Sequence, residues 1–133
     1  MYQVTREFHF CYGHRLLKHA GKCAHLHGHN ARAVLTLQAE SLDALGMVTD
    51  FGILRERLGD WIDATLDHCM ILHREDPALP ALRELGEPVQ VVDFNPTAEN
   101  LARLLYDKAR AAGLPVVEVA LWETASCKAT YRP

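Results

Sequence analysis

No apolar run in this 133-residue chain approaches the roughly 18–20 residues needed to cross a bilayer. The opening MYQVTREF also lacks the basic-then-apolar order of a secretion signal. A soluble, cytoplasmic protein is the expectation. Positive charge is not in excess: 14 Lys and Arg stand against 17 Asp and Glu, so the electrostatic footprint of a nucleic-acid binder is missing. Neither nucleic acid nor membrane is an expected partner. The cysteines at 11, 23, 69 and 127 lack the dense regular spacing of a disulfide-stapled scaffold and read as thiols. Neither H-E-x-x-H nor H-x-E with C-x-x-C occurs, which removes the zinc protease and zinc deaminase readings. Without a repeat, low-complexity tract or linker, and with 49% apolar residues, residues 1–133 read as a single domain able to bury a core.

What the chain has is histidine. Eight occur, and His9, His14, His19, His25, His27 and His29 fall within one short stretch. Around them the pattern alternates with period two, which argues strands with one buried face over 2–11, from Val4, Phe8 and Phe10, and over 30–40, from Ala33, Leu35, Leu37 and Ala39. Helical spacing follows: Phe51, Leu54, Leu58, Trp61, Ile62 and Leu66 predict a helix capped by Thr49 or Asp50 and ending near 67. A second helix starts at Thr97, carries Leu101, Ala102, Leu105 and Ala109 on one side, and stops at Gly113. Strands over 116–123 and 127–131 close the order ββααββ. The fold class is α+β, a four-stranded antiparallel sheet with two helices packed on one face. Residues 74–92, punctuated by three prolines, read as an ordered connection with one helical turn. Open sheet edges in such a layout favour oligomerisation.

The chemistry centres on His27-Gly28-His29, whose period-two spacing puts both imidazoles on one side of a strand with only a hydrogen between them. A third ligand is needed. His14 is well placed if the first two strands form a hairpin, and His25 rivals it by parity. Three imidazoles with a vacant fourth position describe a catalytic zinc (Zn2+) site, whereas structural sites close with four ligands. Cys23, four residues before His27, reads as a closing ligand, a buried thiol, or a base beside the metal favoured as thiolate by Lys22. Cys11, Cys69 and Cys127 read as packing residues. Asp67-His68 is either a helix-end ion pair or a relay able to move a proton near neutral pH. His73 has no evident partner. Glu123 follows Val117, Val119 and Leu121 on one strand face, and a flat heterocycle offering two parallel N–H groups would satisfy it if buried.

Taken together, FHFCYGHRL, C-x3-H-G-H, GMVTDF, LDHCMIL, NPTAEN and WET resemble the 6-pyruvoyltetrahydropterin synthase family across almost the whole chain. The three residues between Cys23 and the H-G-H box resemble its bacterial 6-carboxytetrahydropterin synthase branch, of the queuosine (7-deazapurine) pathway. The resemblance implies a T-fold, a barrel-like homohexamer with active sites at subunit interfaces, and a pterin triphosphate substrate. It implies His14, His27 and His29 as zinc ligands, Cys23 as proton acceptor, Asp67 and His68 as relay, Glu123 as pterin anchor and Thr97 near the pterin pocket. His25 falls on a variable position. The activity implied is lyase chemistry on 7,8-dihydroneopterin triphosphate giving 6-carboxytetrahydropterin, with a 6-pyruvoyl product as the near alternative and a non-catalytic zinc- or pterin-binding module as the distant one. Arg15, Lys18 and Lys22 are candidates to meet the triphosphate. The family's usual F-x-x-A-A-H-like opening is here Phe8-His9-Phe10-Cys11-Tyr12-Gly13-His14.

Overall fold

Period-two patterning becomes one long hairpin in a computed structural model that describes residues 1–133. Strand β1 (Tyr2–His14) pairs antiparallel with β2 (His27–Ala39). Phe8 lies opposite Ala33 and Phe10 opposite Ala31, so each buried ring is matched by a small neighbour across the strand. Both strands run farther toward the turn than their alternation alone suggests, which brings His14 opposite His27 and Tyr12 opposite His29.

Asp50, not Thr49, caps the first helical rod, its Oδ1 accepting the Gly52 N–H at 2.6 Å. The rod comprises α1 (Phe51–Leu54), a π-helical turn (Arg55–Gly59) and α2 (Asp60–Thr65). Leu54, Leu58, Ile62 and Leu66 are buried at intervals of four, each contributing about 1.5–3 kcal/mol of burial. Gly59 sits so near Phe8 that a Cβ there would stand 2.8 Å from its ring, so the rod rests directly on β1. The Thr97 hydroxyl accepts the Asn100 N–H at 3.2 Å and caps α4 (Ala98–Ala111), which packs on β5 (Val116–Trp122) and β6 (Lys128–Tyr131).

The expected four-stranded antiparallel sheet is corrected to a six-stranded mixed one, in the order β4-β3-β1-β2-β5-β6. Strand β3 (Cys69–His73) runs parallel to β1, and β4 (Val89–Val92) parallel to β3. A third helical segment, α3 (Leu79–Glu84), lies in the crossover between them. Residues 74–92 thus hold a helix and a strand beyond the single turn expected. Consecutive Ile71 and Leu72 are both buried, so β3 shows no alternation from which a strand could be expected.

Candidate active site

Core-facing residues of β1, β2 and β5 leave the helix layer at one end of the sheet, where His14, His27, His29 and Glu123 surround a cavity of about 370 Å³. The hairpin register supplies the first three. Their ligand nitrogens all lie within 4.8 Å of one another, and His14 Nε2 is 3.2 Å from His29 Nε2. Gly28 is glycine because the strands approach closely here: a Cβ would meet the Tyr12 carbonyl oxygen at 3.1 Å.

Two carbonyls aim the rings. His14 Nδ1 lies 2.7 Å from the Pro96 carbonyl and His27 Nδ1 lies 2.7 Å from the His25 carbonyl. Carbonyls only accept, so each Nδ1 carries the proton and each Nε2 keeps its lone pair. Burial pushes His14 toward the neutral form, opposed by the Pro96 bond and the Glu123 charge. A tetrahedral ion with Zn–N bonds of about 2.0–2.1 Å needs N···N edges of about 3.3 Å. The His14–His29 edge is already 3.2 Å and all three nitrogens lie within 4.8 Å, so the trio fits a divalent zinc-like ion once His27 draws in. Bound there, such an ion would have three nitrogen ligands. His25 contributes its backbone, not its ring.

Cys23 sits in a short 3-10 turn (Lys22–Ala24) and borders the same cavity, outside the three-nitrogen cluster. Glu123 faces the cluster, its Oε1 standing 3.7 Å from His14 Nε2 and 3.8 Å from His29 Nε2. That oxygen also accepts the hydroxyl of Tyr12 at 2.7 Å. Burial, then the Glu123 charge, push the Tyr12 phenol above its ordinary value, so it stays a proton donor. Tyr12 was absent from the sequence candidates, although it shares the parity of His14 two residues earlier. Thr97 lines the cavity at the start of α4. Asn95, Pro96 and Thr97 thus divide the labour: Asn95 grips Leu17, Pro96 aims His14, and Thr97 caps the helix.

Asp67 and His68 are not brought to this cavity within one chain. Asp67 Oδ2 is 3.0 Å from His68 Nδ1, while Oδ1 accepts the Cys11 N–H at 2.9 Å. Chiefly the Cys11 N–H, helped by His68, holds the Asp67 carboxyl below its usual range. His68 takes a left-handed backbone, φ 57°, and its side chain is 78% exposed. His68, without Asp67, lines a second cavity with Cys11, Gly13 and Met70, which Tyr12 and His27 also border. Arg15 is not free either, since its guanidinium forks onto buried Asp76. Lys18 and Lys22 are exposed on the loop above. His73 Nδ1 accepts the Glu75 N–H, a local turn contact that accounts for it.

Residues 3–133 match the sequence profile of the family described as 6-pyruvoyl tetrahydropterin synthase. A Rickettsia bellii protein named 6-carboxy-5,6,7,8-tetrahydropterin synthase is 36% identical, over 96% of this chain and 97% of its own. An Aquifex aeolicus protein of the same name is 33% identical, over 98% of each. Among solved structures, an uncharacterized Wolinella succinogenes protein superposes with a TM-score of 0.83 at 30% identity, covering 98% of this chain and 97% of that one. Caenorhabditis elegans 6-pyruvoyl tetrahydropterin synthase shares the fold, with a TM-score of 0.74 at 24% identity over 99% and 95% of the two chains. The imidazole trio and its carbonyl props thus lie within a match that runs nearly end to end, and on that match the chain belongs to the 6-pyruvoyl tetrahydropterin synthase family.

Proposed function

We propose that this protein is a zinc-dependent 6-carboxytetrahydropterin synthase. On this reading it is a lyase that takes 7,8-dihydroneopterin triphosphate and one water to 6-carboxytetrahydropterin, with loss of acetaldehyde and triphosphate, in queuosine (7-deazapurine) biosynthesis. The observation that carries the reading is the trio of carbonyl-aimed imidazoles opening on a cavity that also holds Cys23 and Glu123. The names of the full-length relatives narrow the product to the 6-carboxy compound.

His14, His27 and His29 would hold the ion, which when bound would supply Lewis-acid polarisation of the substrate's side-chain hydroxyls. Glu123 anchors the heterocycle. Tyr12 occupies one lone pair of its Oε1 and leaves the rest of the carboxylate to accept paired N–H groups. The Thr97 oxygen accepts from Asn100, so its own proton is free to donate into the cavity. Cys23, at the rim and outside the nitrogen cluster, removes a substrate proton as thiolate. Asp67 accepts the Nδ1–H of His68, which leaves Nε2 as the exchanging atom. Since that pair stands outside the cavity with the His68 ring exposed, it serves the site of a neighbouring subunit, and the unpaired edges of β4 and β6 are the surfaces through which copies join into the expected homohexamer.

Incubating the purified zinc-loaded protein with 7,8-dihydroneopterin triphosphate tests the reading by product mass and acetaldehyde yield. Acetaldehyde with a 6-carboxy product is expected. A product retaining all its carbons would make the activity 6-pyruvoyl formation, and unchanged substrate at full zinc occupancy would refute enzymatic function.

A further inference from the structure

Three consecutive residues between β1 and the Cys23 turn are each held by a different part of the molecule. Arg15 forks onto Asp76, with Nε at 3.1 Å from Oδ1 and 2.8 Å from Oδ2 and with Nη2 also on Oδ1. The Leu16 N–H donates to the Cys23 carbonyl at 2.8 Å. The Leu17 N–H donates to Asn95 Oδ1 at 2.9 Å, and Asn95 Nδ2 returns a bond to the Leu17 carbonyl at 3.3 Å.

Asp76 is a rigid post. Its side chain is wholly buried, its Oδ1 also accepts the Ala78 N–H at 2.8 Å, and its backbone closes turns with His73 and Leu79. A buried carboxylate unpaired would cost several kcal/mol, so the Arg15 fork is strongly specified. One residue on, the Leu16 bond passes that placement to the turn bearing Cys23. A guanidinium with Nε and Nη2 committed in this way is poorly placed to meet a triphosphate as well.

Resting on the function proposed above, we infer that Asp76, acting through Arg15, is a positioning residue that sets where the Cys23 thiol stands at the cavity. The 74–92 crossover thereby contributes to the site without touching it.

Full-length zinc-loaded Asp76→Asn tests this by hydrogen exchange, metal content and steady-state kinetics. The Leu16 and Leu17 amides are expected to exchange about tenfold faster or more, while amides of 31–37 keep their rates. Zinc content should hold, and kcat should fall about tenfold to a hundredfold at a KM changed by less than about twofold. Arg15→Lys keeps a cation against Asp76 and is the milder variant should Asp76→Asn not fold. It should shift the same observables in the same direction and add little when combined with Asp76→Asn. Wild-type protection at Leu16 and Leu17 in either folded variant would overturn the inference, as would Arg15→Lys raising KM at unaltered kcat. Absence of turnover in the wild-type protein counts against the proposed function instead, and the exchange rates still decide whether the clamp holds the Cys23 turn.

Discussion

Tyr12→Phe removes a single oxygen from a residue only 1% exposed. The ring remains, and with it the packing against Phe10 at 5.7 Å and the edge-on contact with His14 at 5.1 Å between centroids. What disappears is the 2.7 Å hydrogen bond to Glu123 Oε1. Bonds to charged acceptors contribute about 1.5–3 kcal/mol, and because the Glu123 side chain is 22% exposed, water makes good part of the loss, leaving about 1–2 kcal/mol. In urea unfolding at matched protein concentration, the midpoint should fall by about 0.5–1 M with the slope unchanged. The carboxylate also loses the contact that orients it. If orientation is realised in the transition state, the same 1–2 kcal/mol appears as about a 5- to 30-fold drop in kcat/KM. Zinc content should stay at the wild-type level, since every ligand nitrogen remains. A Phe variant that unfolds at the wild-type midpoint and keeps kcat/KM within about twofold would refute the orienting role.

Cys23→Ala should keep its zinc and lose turnover by at least about a hundredfold, whereas joint loss of metal and activity would make the thiol a ligand. His68→Asn suits the left-handed backbone, so stability should change little while kcat falls about 10²- to 10⁴-fold; retained kcat would remove His68 from the relay. If Cys23 and His68 of one site come from different subunits, coassembling these two inactive variants should restore about a quarter of wild-type activity, and no recovery would place both in one chain. The Arg15 fork, with help from the Ala78 N–H, holds the Asp76 carboxyl below its usual range. Its stabilisation is therefore complete above the unfolded value of ~3.9 and lost as pH falls through the lower folded value. The stability gap between wild type and Asp76→Asn, about 2–4 kcal/mol at neutral pH, should close on acidification in urea titrations, and a pH-independent gap would disprove the assignment.

Legibility in the sequence tracked burial geometry. Strands with one wet face alternate, so β1 and β2 were readable from Phe8, Phe10, Ala33 and Leu35, and the same parity carried His14, His27 and His29 to one face. Strands β3 and β4 were not readable. In a parallel crossover Ile71 and Leu72 are buried side by side, the alternation vanishes, and a four-residue strand such as β4 leaves too few positions to show a period. The two long helices were legible in extent, yet the π turn at Arg55–Gly59 was not; Gly59 at its end lies against Phe8 of a distant strand, a contact no local pattern displays.

The same distinction applies to the site. Ligand identity lies in side chains and their spacing, so the H-G-H box announced itself. The supports are backbone carbonyls of Pro96 and His25, which any residue could offer, and only the fold reveals them. Tyr12 could have been found, since it stands two residues before His14 on the same face. Arg15 could not, because its partner Asp76 is 61 residues away in the connection that carried no periodic signal. Asp67 and His68 mark the boundary of what one chain can express. Adjacent in sequence and bound to each other, they still lie apart from the cavity, so the relay proposed for them requires a second subunit, which no intrachain pattern encodes.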